Sequence, residues 1–96
     1  MKTPHLTTQD IQEPARLLVV EDEYILAINL QESLVSLGYV VVDVVDTAEV
    51  AIQKAEELRP DLVLMDIRLQ GEMDGIQAAE QIWNQLQIPI IYVTGH

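Results

Sequence analysis

The sequence predicts an α/β domain built on a doubly wound parallel sheet, and three observations carry that expectation. From Arg16 onward, short β-rich runs alternate with helical patterns in the order β-α-β-α-β-α-β. Two of the runs, Leu17–Val20 and Leu62–Met65, are apolar at every position, as strands covered by helices on both faces are. The 96 residues leave room for one domain. Right-handed crossovers then put helices on both faces and bring every strand's C-terminal end to one edge, where such folds bind ligands.

Each element has a local reason. Residues 1–15 are polar, hold two prolines and show neither helical nor strand period, so a flexible leader is expected there, with His5 in solvent. The first strand, Leu17–Val20, runs abruptly into Glu21-Asp22-Glu23. Asp22 can cap a helix from about Glu23 to Leu37, with Gly38 as its stop. That helix carries Leu26, Leu30, Leu34 and Leu37 on one face, and a second stripe of Tyr24, Ile25, Ile28 and Val35 asks for burial on two sides. Val40–Val45 is the second strand.

Asp46-Thr47 opens a helix to about Leu58, with Glu49 placed as in a capping box begun by Asp46. Ala51, Ala55 and Leu58 form its expected buried face, and Arg59-Pro60 ends it. Leu62–Met65 is the third strand, ending in Asp66. A Gly-punctuated loop, Arg68 to Asp74, leads into a helix from Gly75 to Leu86 with Ile76, Ala79, Ile82 and Leu86 in step. Pro89–Val93 is the fourth strand, followed by Thr94-Gly95-His96.

Composition excludes several function classes. There are 16 acidic and 5 basic side chains, a formal charge of −11, which argues against nucleic acid and against an anionic membrane surface. With no cysteine there are no disulfides, thiolate metal sites or thiol nucleophiles. Hydrophobic residues make up 49 % of the chain, too many for a disordered acidic segment, and the absence of Phe implies an aliphatic core. No secretory h-region or membrane-length apolar run is present, so a cytoplasmic location is expected.

The functional signal lies at the strand ends. If the first and third strands are neighbours, Glu21, Asp22 and Asp66 crowd together about one strand spacing, roughly 5 Å, apart. Carboxylates that close resist ionising together unless a cation sits among them. The fitting ion is Mg²⁺, held by one or two carboxylates, waters and a phosphate oxygen. A strand-end Asp beside such an ion suits phosphoryl transfer. Taken alone, Glu21-Asp22-Glu23 serves equally well as a helix cap. Asp66 is followed by Ile67-Arg68-Leu69, which holds no helix start that needs one.

LLVVEDE, LVLMDIRL, the Met73-Asp74-Gly75 triplet and IIYVTG, in this order, resemble the receiver domain of two-component response regulators. The resemblance covers residues 16–96 and implies the flavodoxin-like 2-1-3-4-5 strand order. It implies that Asp66 is the phospho-acceptor, charged by a histidine kinase or phosphotransfer protein. Asp22 resembles the direct Mg²⁺ ligand, joined by Asp66 and the backbone carbonyl of Arg68. Glu21 stands where the family usually has Asp and would bind through water. Thr94 resembles the switch hydroxyl that bonds the phosphoryl group, and Gly95 the small residue that leaves it room.

The sequence departs from that pattern in two places. The loop after Asp66 is one residue longer than the commonest form, with Gln70 where a Pro usually precedes Gly71. The family continues past its fourth strand through a helix, a fifth strand and a last helix, so 16–96 reads as a receiver with four of five strands. The lysine that contacts the phosphoryl group belongs to the remaining part. Lys2 and Lys54 do not replace it by position, and a charge-assisted contact of that kind is worth about 2–4 kcal/mol in the transition state. Slow or absent phosphorylation is therefore expected. So is self-association, readable by light scattering, through the Ile90–Val93 edge, through the second stripe of the first helix (Ile25, Ile28, Val35), or by exchange of elements.

Other functions were weighed on the same residues. A haloacid-dehalogenase-type phosphohydrolase needs a second Asp two residues after the nucleophile, and Arg68 stands there. A nucleotide or flavin binder lacks its Gly-rich loop after the first strand. The remaining alternative is a pseudo-receiver, an interaction module that works without phosphorylation. A phospho-acceptor, not a turnover enzyme, is the expected role.

Overall fold

The computed structural model describes residues 13–93. In chain order these form β1 (Arg16–Val20), α1 (Tyr24–Ser36), β2 (Val40–Val45), α2 (Ala48–Leu58), β3 (Leu62–Asp66), α3 (Gly75–Leu86) and β4 (Ile90–Val93). The strands make one parallel sheet in the order β2-β1-β3-β4. The chain therefore winds outward from β1 in both directions, as the doubly wound reading requires. None of the described helices is long and apolar enough to cross a membrane.

Strand alternation divides the core into two layers. Leu18, Val20, Val63 and Met65 face α2 and α3, meeting Ala48, Ala51 and Ala55 of one helix and Ala78 and Ile82 of the other. Leu17, Val19 and Leu64 face the opposite side, where Leu30 and Leu34 of α1 cover them. The alanine stripe of α2 is fully buried. Its small side chains let that helix sit close to both the sheet and α3. Far from the acidic edge, the start of β1 is tied down by Asp61, whose Oδ2 accepts from the Arg16 N–H at 2.7 Å. The strand's pairing begins one residue early, with the Ala15 carbonyl accepting from the Val40 N–H at 3.0 Å.

Several helix ends differ in detail from the sequence reading. Asp22 does not cap α1: its N-cap is Glu23, without a side-chain cap bond, and the helix stops at Ser36, leaving Leu37 outside it and 73 % exposed. In α2 the cap is Thr47, whose Oγ1 accepts from the Val50 N–H at 3.2 Å, so the frame begun by Asp46 is displaced by one residue. Asp46 is left exposed as a result. The α3 start forms a full capping box between Asp74 and Gln77, with bonds of 2.9 and 3.0 Å. There the buried face is Gly75, Ala78, Ala79 and Ile82, and Ile76 is turned outward at 45 % exposure. The packing of Gly75 against the end of β3 sets this rotation.

The surfaces named for self-association are exposed in the described residues: Ile91 and Tyr92 on β4, Ile25 and Val35 on α1. The cap assignment gives a direct check. Thr47→Ala is expected to destabilise the fold by about 1 kcal/mol, while Asp46→Ala leaves the urea midpoint within about 0.5 kcal/mol of the parent. The reverse ranking would restore the Asp46 frame.

Candidate metal centre

The pairing of β1 with β3 builds the site. Val20 lies opposite Met65 in register, so the residues that follow, Glu21-Asp22 and Asp66, emerge side by side. One carboxylate oxygen from each of Glu21, Asp22 and Asp66 lies within 4.8 Å of the others. Asp66 is 2 % exposed and Glu21 5 %, the two buried charged residues of the described core, and Asp22 is half-buried. The structure thus brings together the three side chains expected from the sequence. Arg68 contributes its N–H, which donates to Asp66 Oδ1 at 3.0 Å. Thr94 and Gly95 lie outside the described residues.

Backbone groups hold the carboxylates in place. Glu21 Oε2 accepts from the Glu23 N–H at 3.0 Å, and Asp22 Oδ2 accepts from the Gln70 N–H at 3.2 Å. The second bond joins the end of β1 to the loop after β3, and it explains why Asp22 leaves the α1 cap unfilled. That loop is pinned by Leu69, which is buried in the α2–α3 core, and turns at Gly71 with φ +117°. Gly75 closes it: a Cβ there would overlap the Asp66 carbonyl oxygen, so only glycine lets α3 start against the acidic strand end. The sequence places Gly75 at a helix start and in the Met73-Asp74-Gly75 triplet, without its contact with Asp66, and does not show the Gln70 bond. The glycine was discoverable from its place beside a helix cap. A backbone N–H leaves no trace in residue type.

The electrostatics are one-sided. Burial pushes the Glu21 carboxyl above its ordinary range; the Glu23 N–H bond opposes this, and the charge of Asp66, a hydrogen bond with it and the charge of Asp22 add to the rise. Among the described residues the ion pairs are those of Lys54 with Asp43 at 3.8 Å and with Glu57 at 3.6 Å, and none reaches the cluster. Clustered hard oxygen donors with uncompensated negative charge and no imidazole or thiolate fit Mg²⁺ or a similar hard divalent cation.

Fold and site together define a parallel α/β domain with a buried aspartate and two further carboxylates at one sheet edge. The sequence matches the family model of the response regulator receiver domain over residues 17–96, and the chain belongs to that family. Among curated proteins it is similar to the transcriptional regulatory protein PdtaR of Mycobacterium tuberculosis, with 36 % identity over 88 residues, 92 % of this chain and 42 % of that protein. It is also similar to the phyllosphere-induced regulator PhyR of Methylorubrum extorquens, with 32 % identity over 81 residues, 83 % of this chain and 30 % of that protein. The chain spans less than half the length of either. Among solved structures, the signal receiver domain of a modulated diguanylate cyclase from Desulfovibrio desulfuricans G20 superposes with a TM-score of 0.83 at 39 % identity, covering 88 % of this chain and 67 % of that one. The response regulator PhyR from Brucella abortus gives 0.80 at 34 %, covering 88 % and 35 %.

The raised Glu21 carboxyl has a definite sign in stability. The protonated form is favoured in the folded state, so this group's contribution is fully present below the ordinary glutamate value of about 4.3 and is lost as pH rises through the raised one. In metal-free buffer at pH 7, Glu21→Gln is therefore expected to raise the melting temperature, by about 4–8 °C for each kcal/mol of desolvation and repulsion relieved. Below about pH 4 the gain should vanish. A variant that melts lower than the parent at pH 7 would contradict this account.

Proposed function

We propose that Asp66 accepts a phosphoryl group from the phosphohistidine of a histidine kinase or phosphotransfer protein, in a Mg²⁺-dependent reaction. The observation that carries the reading is the buried Asp66 carboxylate at the end of β3, with Glu21 and Asp22 oxygens within 4.8 Å. An Asp66 oxygen attacks phosphorus, the P–N bond to the imidazole breaks, and the imidazole leaves with a proton from solvent. Glu21, Asp22, Asp66 and the backbone carbonyl of Arg68 would hold the metal, which when bound supplies positive charge to the carboxylates and the phosphoryl oxygens. The Arg68 N–H fixes the orientation of the Asp66 carboxylate through its Oδ1. Thr94 follows Val93, the sheet partner of Asp66, and this register supports a role for its hydroxyl in bonding the phosphoryl group, with Gly95 leaving space beside it.

A second reading is favoured by one observation. No described lysine or arginine side chain is paired with the cluster, and Lys54 is engaged by Asp43 and Glu57. On that reading the chain is a pseudo-receiver, binding partners without phosphorylation. A small-molecule acyl phosphate with Mg²⁺, read by intact mass, separates the two. One added phosphoryl group is expected, slow to form and abolished by Asp66→Asn or by chelation. Metal binding without any phosphorylated species would instead establish the interaction module.

A further inference from the structure

A cleft of about 520 Å³ shares Glu21 and Asp22 with the metal centre, and phosphoryl transfer does not use the rest of its lining. It opens between the first turns of α1, the C-terminal end of β2 and the start of α2. Ile28, Val44 and Val50 supply apolar walls, and Tyr24, 75 % exposed, stands among its lining residues. Asp22 and Asp46 bring carboxylates to the same space, and no described lysine, arginine or histidine lines it. Asp46 is available because Thr47 has taken over the helix cap. An exposed tyrosine, two carboxylates and a β-branched wall make an amphipathic receptacle.

We propose that this cleft docks a basic side chain presented by a protein partner. The aliphatic stem of a lysine or arginine covers Ile28, Val44 and Val50, its charged head meets Asp46, and the Tyr24 ring offers a cation–π face, while Asp22 stays with the metal. Charge complementarity selects this occupant. The chain carries −11, which steers a basic surface toward it and opposes nucleic acid; the surfaces named for self-association, on β4 and the second stripe of α1, are apolar instead. A bare metal ion would find the apolar walls without ligands. The volume lies within the range of small-ligand sites, enough for one long side chain and its neighbours.

The test is a methyl and amide NMR titration of the full chain at saturating Mg²⁺. The probe is a short amphipathic peptide carrying Lys and Arg, set against the same peptide with acetyl-lysine and citrulline. The charged peptide should shift Ile28, Val44 and Val50, and the neutral one should not. Tyr24→Ala and Asp46→Asn, both at exposed positions, should each weaken binding about two- to fivefold. The proposal is overturned if neither peptide shifts these residues, if both do so equally, or if Mg²⁺ abolishes binding, since the peptide would then only be neutralising the metal centre. Spermidine binding as tightly as the peptide would also overturn it, by making the cleft a site for free cations. Neither readout depends on phosphorylation of Asp66, so this proposal and that of the phospho-acceptor fail separately.

Discussion

The pairing of β1 with β3 forces three carboxylates into one small volume, and much of the rest of the structure accommodates that constraint. The two strands are apolar on both faces, and their burial between helix layers keeps their ends one sheet spacing apart. Glu21 and Asp66 are then withdrawn from water, and among the described residues no cationic side chain forms an ion pair with them. Placing like charges in a partly dehydrated site costs stability, and proteins commonly concentrate such cost where a ligand relieves it. The raised Glu21 carboxyl is the direct expression of that cost.

The surrounding backbone directs the strain toward a use. Three N–H groups, from Glu23, Arg68 and Gln70, each donate to one carboxylate and fix its direction. Gly75 lets α3 begin in contact with the Asp66 backbone, and Leu69 anchors the intervening loop in the core. These contacts are made by main chain, so backbone N–H groups orient the acidic groups among the described residues. The chain belongs to the receiver family, and the phospho-acceptor role proposed for Asp66 rests on this geometry.

Much of this was legible in the sequence. Uniformly apolar β1 and β3, each ending in carboxylates, announced both the parallel sheet and the acidic edge, because burial on two faces leaves no polar position along the strand. Finer features were not legible. The Asp46-Glu49 spacing matched a capping box, yet Thr47 holds the cap, since adjacent Asp and Thr are both competent and the packing of Ala48 decides between them. On α3 the expected Ala79 and Ile82 are buried, but Ile76, which outranks Gly75 in hydrophobicity, is turned outward because contact with β3 excludes any side chain at 75. The Asp22–Gln70 bond spans 48 positions and uses a backbone donor, which no local pattern encodes.

The central claim is that the carboxylate cluster is a cation site whose occupation relieves its own repulsion. Thermal unfolding of the parent and of Asp22→Asn, titrated with MgCl₂ at constant ionic strength, tests it most directly. The parent's melting temperature should rise with Mg²⁺, by the equivalent of about 2.7 kcal/mol at a hundredfold excess over the dissociation constant, with most of that gain absent in Asp22→Asn. A parent that does not respond to Mg²⁺, or a variant that responds as strongly, would contradict the account.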